Sequence, residues 1–150
     1  MLDVLRFISI FAAGISAGTL VTVLAGFIPV MTALPPDRAL GFKRLMDPLI
    51  DRYNPPAVIV AMISAVAMLF YSMPDDAKLC VAIGLAGSVG IGAVSLGVNM
   101  RINRMMSGWS SDAPPPEYRD AQQRWNRFHA LRTLSSLVAF SAYILALLVA

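Results

Sequence analysis

FISIFAAGISAGTLVTVLAGFIPVMTALPP, residues 7–36, runs for thirty residues without a charged side chain. A helix that crosses the hydrocarbon core of a bilayer needs about 20 apolar residues, with a range of roughly 17–25. This run is long enough to span, and Pro35-Pro36 stops it. Three more uncharged runs follow: Asn54–Pro74, Leu79–Met100 and Thr133–Ala150. Strands of a membrane barrel alternate over about 10 residues, whereas these runs are continuous. In lipid, backbone polar groups are satisfied only within helices or closed barrels. The reading is therefore an all-α membrane protein: a single domain over residues 1–150, folded as an antiparallel four-helix transmembrane bundle. Its spans are expected at about residues 4–34, 56–73, 79–100 and 129–149.

Charge supports this class. Only 14% of the residues are charged and the mean hydropathy is +0.68. A soluble domain carries roughly 25% charged residues, so too few are present to coat a water-facing surface. The net charge of +3 does not point to nucleic acid, because the basic residues sit beside the spans. The expected surrounding is a lipid bilayer. A signal peptide has an apolar region of only about 7–15 residues; the first run is far longer, and an uncleaved first span is expected. The single cysteine, Cys80, excludes an intrachain disulfide and reads as a small apolar side chain.

The connectors carry the remaining features. After span one, Leu40, Leu45, Met46, Leu49 and Ile50 oppose Lys43, Arg44, Asp47 and Asp51. This pattern predicts a short amphipathic helix at the interface, interrupted by Pro48. Asn54-Pro55-Pro56 then opens span two, and Pro74–Lys78 reads as a tight turn into span three. Before span four, Ser110, Ser111, Asp112, Pro114–Pro116 and Glu117 signal a helix start. No breaker follows, so one long fourth helix is expected over about residues 116–149, polar in its first half.

Both termini then lie on one side with Arg6 and Lys78, and the other ten basic residues lie opposite. The positive-inside rule places both long connectors in the cytoplasm and both termini outside, in the inner (plasma) membrane of a bacterium. Gly14 and Gly18 form a GxxxG unit, and Gly84, Ser88 and Gly92 repeat every four residues. Such faces permit close helix approach, either within the chain or against a membrane protein partner.

The chemistry is concentrated between Asn99 and Arg132. Trp125, His129, Arg132 and Ser136 are spaced by four, three and four, on one helix face. Phe140 and Tyr143 extend that face inward. Asn99 and Asn103 close span three at the depth where His129 and Arg132 enter span four. His129 suits a general base. Arg132, Asn99 and Asn103 suit the stabilisation of an oxyanion. Trp125 and Phe140, with Ser136 and Tyr143, suit a flat lipophilic small molecule. With one histidine and no acidic residue inside a span, no metal site is expected. The same spacing also fits a structural reading, with the arginines at lipid headgroups and Trp125 and His129 in an interfacial belt.

The four-span layout, Asn-x-x-x-Asn-Arg at residues 99–104 and Arg-Trp-x-x-x-His-x-x-Arg at residues 124–132 resemble the anthrone-oxygenase-like family of small membrane proteins. The resemblance implies roles for Asn99, Asn103, Trp125, His129 and Arg132. Those members of the family with an assigned activity oxidise polycyclic anthrones with molecular oxygen and without an organic cofactor. The resemblance therefore implies oxygen as co-substrate if the chain is an enzyme, but it does not imply that its substrate is an anthrone. Two functions follow as expectations. One is a cofactor-independent oxygenase for a lipophilic aromatic or enolisable substrate. The other is a non-catalytic accessory subunit of a larger membrane complex, or a small-ligand-binding bundle. A transporter ranks behind both, because no duplicated halves and no intramembrane carboxylate are visible.

Overall fold

The structure is a computed structural model that describes all residues, Met1–Ala150. It is entirely helical, with four long rods and no strand. The first rod is α1 (Leu2–Thr22), a π turn at Val23–Phe27 and α2 (Ile28–Ala33). Its wider turn, closed by the Ile28 N–H on the Val23 carbonyl, immediately precedes Pro29. A proline ring crowds the carbonyl four residues back in an α-helix, and the π register relieves that crowding. The rod ends at Leu34, whose ψ of 151° is the extended conformation preferred before proline.

The second rod, α3 (Pro36–Met68), corrects an expectation. The short amphipathic helix and span two are one 33-residue helix, unbroken at Pro48, Pro55 or Pro56. The prolines stand on its exposed side, so the carbonyls they leave unpaired are not sealed in the core. Tertiary contacts on the opposite side carry the helix through: Ala39, Leu40, Lys43, Asn54, Ala57 and Val58 are buried. Asn54 is pinned to α1 by a hydrogen bond from Ser16 Oγ to its Oδ1, 2.9 Å long and buried. Packing overrides local propensity here.

The turn into the third rod falls at residues 69–74 rather than at Pro74–Lys78. Asp75 and Asp76 occupy the first turn of α4 (Asp75–Val94), where the helix dipole favours acidic groups. A second π turn, Ser95–Asn99, leads into α5 (Met100–Ser107). The linker that follows is clamped to α3 by Arg44, which donates to Ser111 Oγ and to the carbonyls of Ser107 and Trp109. The last rod, α6 (Tyr118–Leu148), is the long fourth helix.

Three rods, Leu2–Ala33, Asp75–Ser107 and Tyr118–Leu148, are long and apolar enough to cross a membrane. The last charge on α3 is Arg52. The rest of that helix measures only about 24 Å at 1.5 Å per residue, against a hydrocarbon core of about 30 Å. Large apolar side chains such as Phe7, Phe11, Ile63, Phe70, Leu96 and Leu134 face outward, as expected where the surrounding solvent is lipid.

The rods form a ring: α1 and α4 each pack against both α3 and α6. One apolar cluster around Ala13, Ala65, Val81 and Tyr143 fills the half nearer the termini. A second, around Val23, Leu40, Met106, Tyr118 and Trp125, fills the other. Glycine sets the α4–α6 approach. Gly84 lies beneath the Tyr143 ring, and a Cβ at Gly87 would fall 2.8 Å from the Ser135 carbonyl oxygen. The Tyr143 hydroxyl meets Ser88 Oγ at 3.1 Å across the same seam. Gly18 and Gly92, by contrast, have open space where a Cβ would stand.

Gly87→Val is therefore expected to force α4 from α6 and to cost about 1–3 kcal/mol, while Gly92→Ala stays within about 0.5 kcal/mol of the parent. Thermal unfolding in detergent checks this, and equal midpoints for the two variants would contradict the seam.

Candidate functional site

The long fourth helix carries Trp125, His129 and Arg132 on its buried face. His129 is fully buried and Arg132 is 9% exposed. The imidazole is held from both ends. Its Nε2 lies 3.0 Å from the Leu20 carbonyl oxygen on α1. Its Nδ1 lies 3.0 Å from Arg132 Nε and 2.8 Å from Arg132 Nη2. A guanidinium has only donors, so Nδ1 accepts from Arg132, and Nε2 carries the proton and donates to Leu20. The geometry selects one neutral tautomer and fixes the ring plane. Arg132 Nη1 also reaches Ser95 Oγ, a long contact of 3.4 Å.

Trp125 stacks on this pair. Its ring and that of His129 are 4.9 Å apart and inclined by 17°. Asn99 is completely buried and donates from Nδ2 to the Trp125 carbonyl oxygen at 3.2 Å. Three polar atoms in this region are buried without a hydrogen-bond partner: Asn99 Oδ1, Asn103 Oδ1 and Trp125 Nε1. Buried polar groups are almost always paired, and an unmet one costs about 1–3 kcal/mol. Two acceptors and one donor are thus left open in the half of the bundle that holds His129 and Arg132.

Both π turns adjoin the cluster. Ser95–Asn99 supplies Ser95 and Asn99, and Val23–Phe27 begins three residues after Leu20. Such turns are frequent at functional sites.

A further residue, Lys43 on α3, is one that the sequence pattern alone did not single out. Its Nζ stands 4.0 Å from the Trp125 ring centroid and 2.9 Å from Asp47 Oδ1. The side chain is 2% exposed. An ammonium has three donors, and here one is used on a carboxylate. The signal is present in the sequence: Leu40, Lys43, Asp47 and Asn54 recur at helical spacing on one side of α3. The amphipathic reading assigns Lys43 to water instead. Burial pushes the Lys43 ammonium below its ordinary value of 10.5, and Asp47 partly offsets this.

The structure does not bring Ser136, Phe140 and Tyr143 to the cluster. Ser136 is buried one to two turns further on and donates to the Thr133 carbonyl. Phe140 lies against Gly14, and Tyr143 against Gly84 and Ser88. They are about 16 and 21 Å along the helix from His129 at 1.5 Å per residue. One helix face is not one depth. No three His, Cys, Asp or Glu side chains come together as a metal-binding group.

A family model described as anthrone oxygenase matches residues 42–142 of the 150. The chain belongs to the anthrone oxygenase family. The matched region takes in Lys43, Asn99, Asn103, Trp125, His129 and Arg132, whereas the Leu20 carbonyl lies outside it. No curated protein and no solved structure matches the chain.

The lysine gives a test with a definite sign. Its folded pKa is lowered, so between that value and 10.5 the unfolded chain binds more protons, and stability rises with pH. The unfolding midpoint of the parent should gain on that of Lys43→Met as pH rises toward 10.5. A difference between them that does not change with pH would contradict the burial of a titrating ammonium.

Proposed function

We propose that this member of the anthrone oxygenase family is a membrane oxygenase for a lipophilic, enolisable aromatic substrate, with the buried cluster as its active site. The observation that carries the reading is the His129–Arg132 pair, in which a single-tautomer imidazole has its lone pair capped by a guanidinium. A substrate carbonyl or phenolic oxygen competes for the donors of Arg132. As the guanidinium turns to that oxygen, Nδ1 is uncovered and takes a proton from the adjacent acidic carbon. Arg132 holds the resulting enolate, and Lys43 adds a second positive charge beside Trp125.

The carbanion transfers one electron to molecular oxygen, and the radical pair joins as a carbon–oxygen bond. The peroxide anion takes the proton back from His129. Loss of water from the hydroperoxide leaves a ketone. In balance, a methylene group and one molecule of oxygen become a carbonyl group and one molecule of water. Both C–H bonds of the methylene break. One oxygen atom stays on the carbon, and the other leaves as water with the two hydrogens. All four electrons come from the substrate carbon, so the reaction as written requires no reductant and no resident cofactor.

The setting follows the charge pattern. The apolar half of α3, extended by Leu69 and Phe70, serves as a fourth span beside the three long rods. Ten of the twelve basic residues then fall on the cytoplasmic side of a bacterial inner membrane, with both termini outside. Oxygen and a flat hydrocarbon-rich substrate both partition into the bilayer, and the cluster sits at its inner boundary.

Oxygen consumption by the purified protein with an anthrone tests this. His129→Ala and Arg132→Ala should each lower the rate by about 100-fold or more. Parent-like rates in both variants would overturn the assignment.

A further inference from the structure

A cleft of about 530 Å³ is separate from the buried cluster. It lies between the Ser95–Asn99 turn with α5 and the polar start of α6. Arg101, Arg124, Glu117 and Asp120 line it, together with Gly97, Val98 and Ile102. All four charged side chains are exposed, and none is in an ion pair. The only two ion pairs of the protein are Arg6–Asp3 and Lys43–Asp47. Asp120 and Arg124 are four residues apart, the spacing at which oppositely charged pairs close on a helix, yet they stay apart. Two guanidinium groups and two carboxylates are thus offered to one space.

Position adds a second constraint. Arg101 is the first charge after the uncharged run Leu79–Met100, so the cleft stands where hydrocarbon gives way to headgroups. Its inner wall is apolar: Ile102 belongs to the second core cluster, and the partly buried Val98 packs against it. Gly97 leaves open space where a side chain would stand. A simple anion would satisfy the arginines and be repelled by Glu117 and Asp120. A zwitterion satisfies both: phosphate on the guanidinium forks and ammonium on the carboxylates.

We infer that this cleft binds a phospholipid with an ammonium-bearing headgroup, its phosphate on Arg101 and Arg124, its ammonium on Glu117 and Asp120, and an acyl chain along Gly97 and Val98. The site is independent of the oxygenase reading. Native mass spectrometry of the detergent-solubilised full chain tests it, with phosphatidylethanolamine or phosphatidylglycerol added. The parent should retain phosphatidylethanolamine at least tenfold over phosphatidylglycerol. Glu117→Gln with Asp120→Asn should abolish that preference, and Arg101→Gln with Arg124→Gln should remove both adducts. Because these residues are exposed, both double variants should keep the parent unfolding midpoint. Equal retention of the two lipids by the parent would overturn the inference. So would undiminished phosphatidylethanolamine binding by the arginine variant, or free phosphoethanolamine binding as well as the lipid.

Discussion

The hydrogen bonds that run from the Leu20 carbonyl through His129 to Arg132 tie the first rod to the last and settle where the charge of the bundle sits. A guanidinium at the edge of an apolar bundle is costly unless it turns inward to partners or outward to water. Arg132 turns inward. Its partner is an imidazole whose other nitrogen is anchored on a backbone carbonyl, so neither group can move without breaking the link. Trp125 covers the pair, and Lys43 approaches the same ring from α3. The cluster therefore gathers groups from all four rods, the second π turn bringing Asn99 to the backbone of Trp125.

The rest of the bundle makes that convergence possible. Gly84 and Gly87 let α4 close on α6, and the seam they form sets the depth at which the Ser95–Asn99 turn meets Trp125. On the opposite side, Ser16 and Asn54 fix α3 to α1, which sets the height of Lys43. Apolar packing fills the half of the bundle near the termini. The half with the long connectors carries polar groups whose pairing is incomplete. Apolar packing and incompletely paired polar groups are thus divided along the bundle axis.

What is legible in the sequence follows the same division. Uncharged runs reveal long helices because lipid imposes a length and an absence of charge. Trp125, His129 and Arg132 stand out because spacings of four and three put them on one face of one helix. Phe140 and Tyr143 share that face but not that depth, which a helical-wheel argument ignores. The continuity of α3 is hidden because Pro48, Pro55 and Pro56 are local breakers, while the contacts that override them come from α1 and are distant in sequence. The π turns carry no residue signature, although each shifts the register of the helix beyond it. Lys43 is hidden because a lysine on an amphipathic helix is normally read as solvated, and only the position of Trp125 on another rod turns it into a buried cation.

In the proposed reaction His129, uncovered by Arg132, removes a proton from carbon. Its most direct measurement is hydrogen exchange without oxygen: an anthrone is incubated with the protein in heavy water under anaerobic conditions, and deuterium at the acidic carbon is followed above the uncatalysed rate. Exchange should be catalysed by the parent and lost in His129→Ala. Exchange at the same rate in both, or none above background in a parent that consumes oxygen with the same substrate, would contradict it.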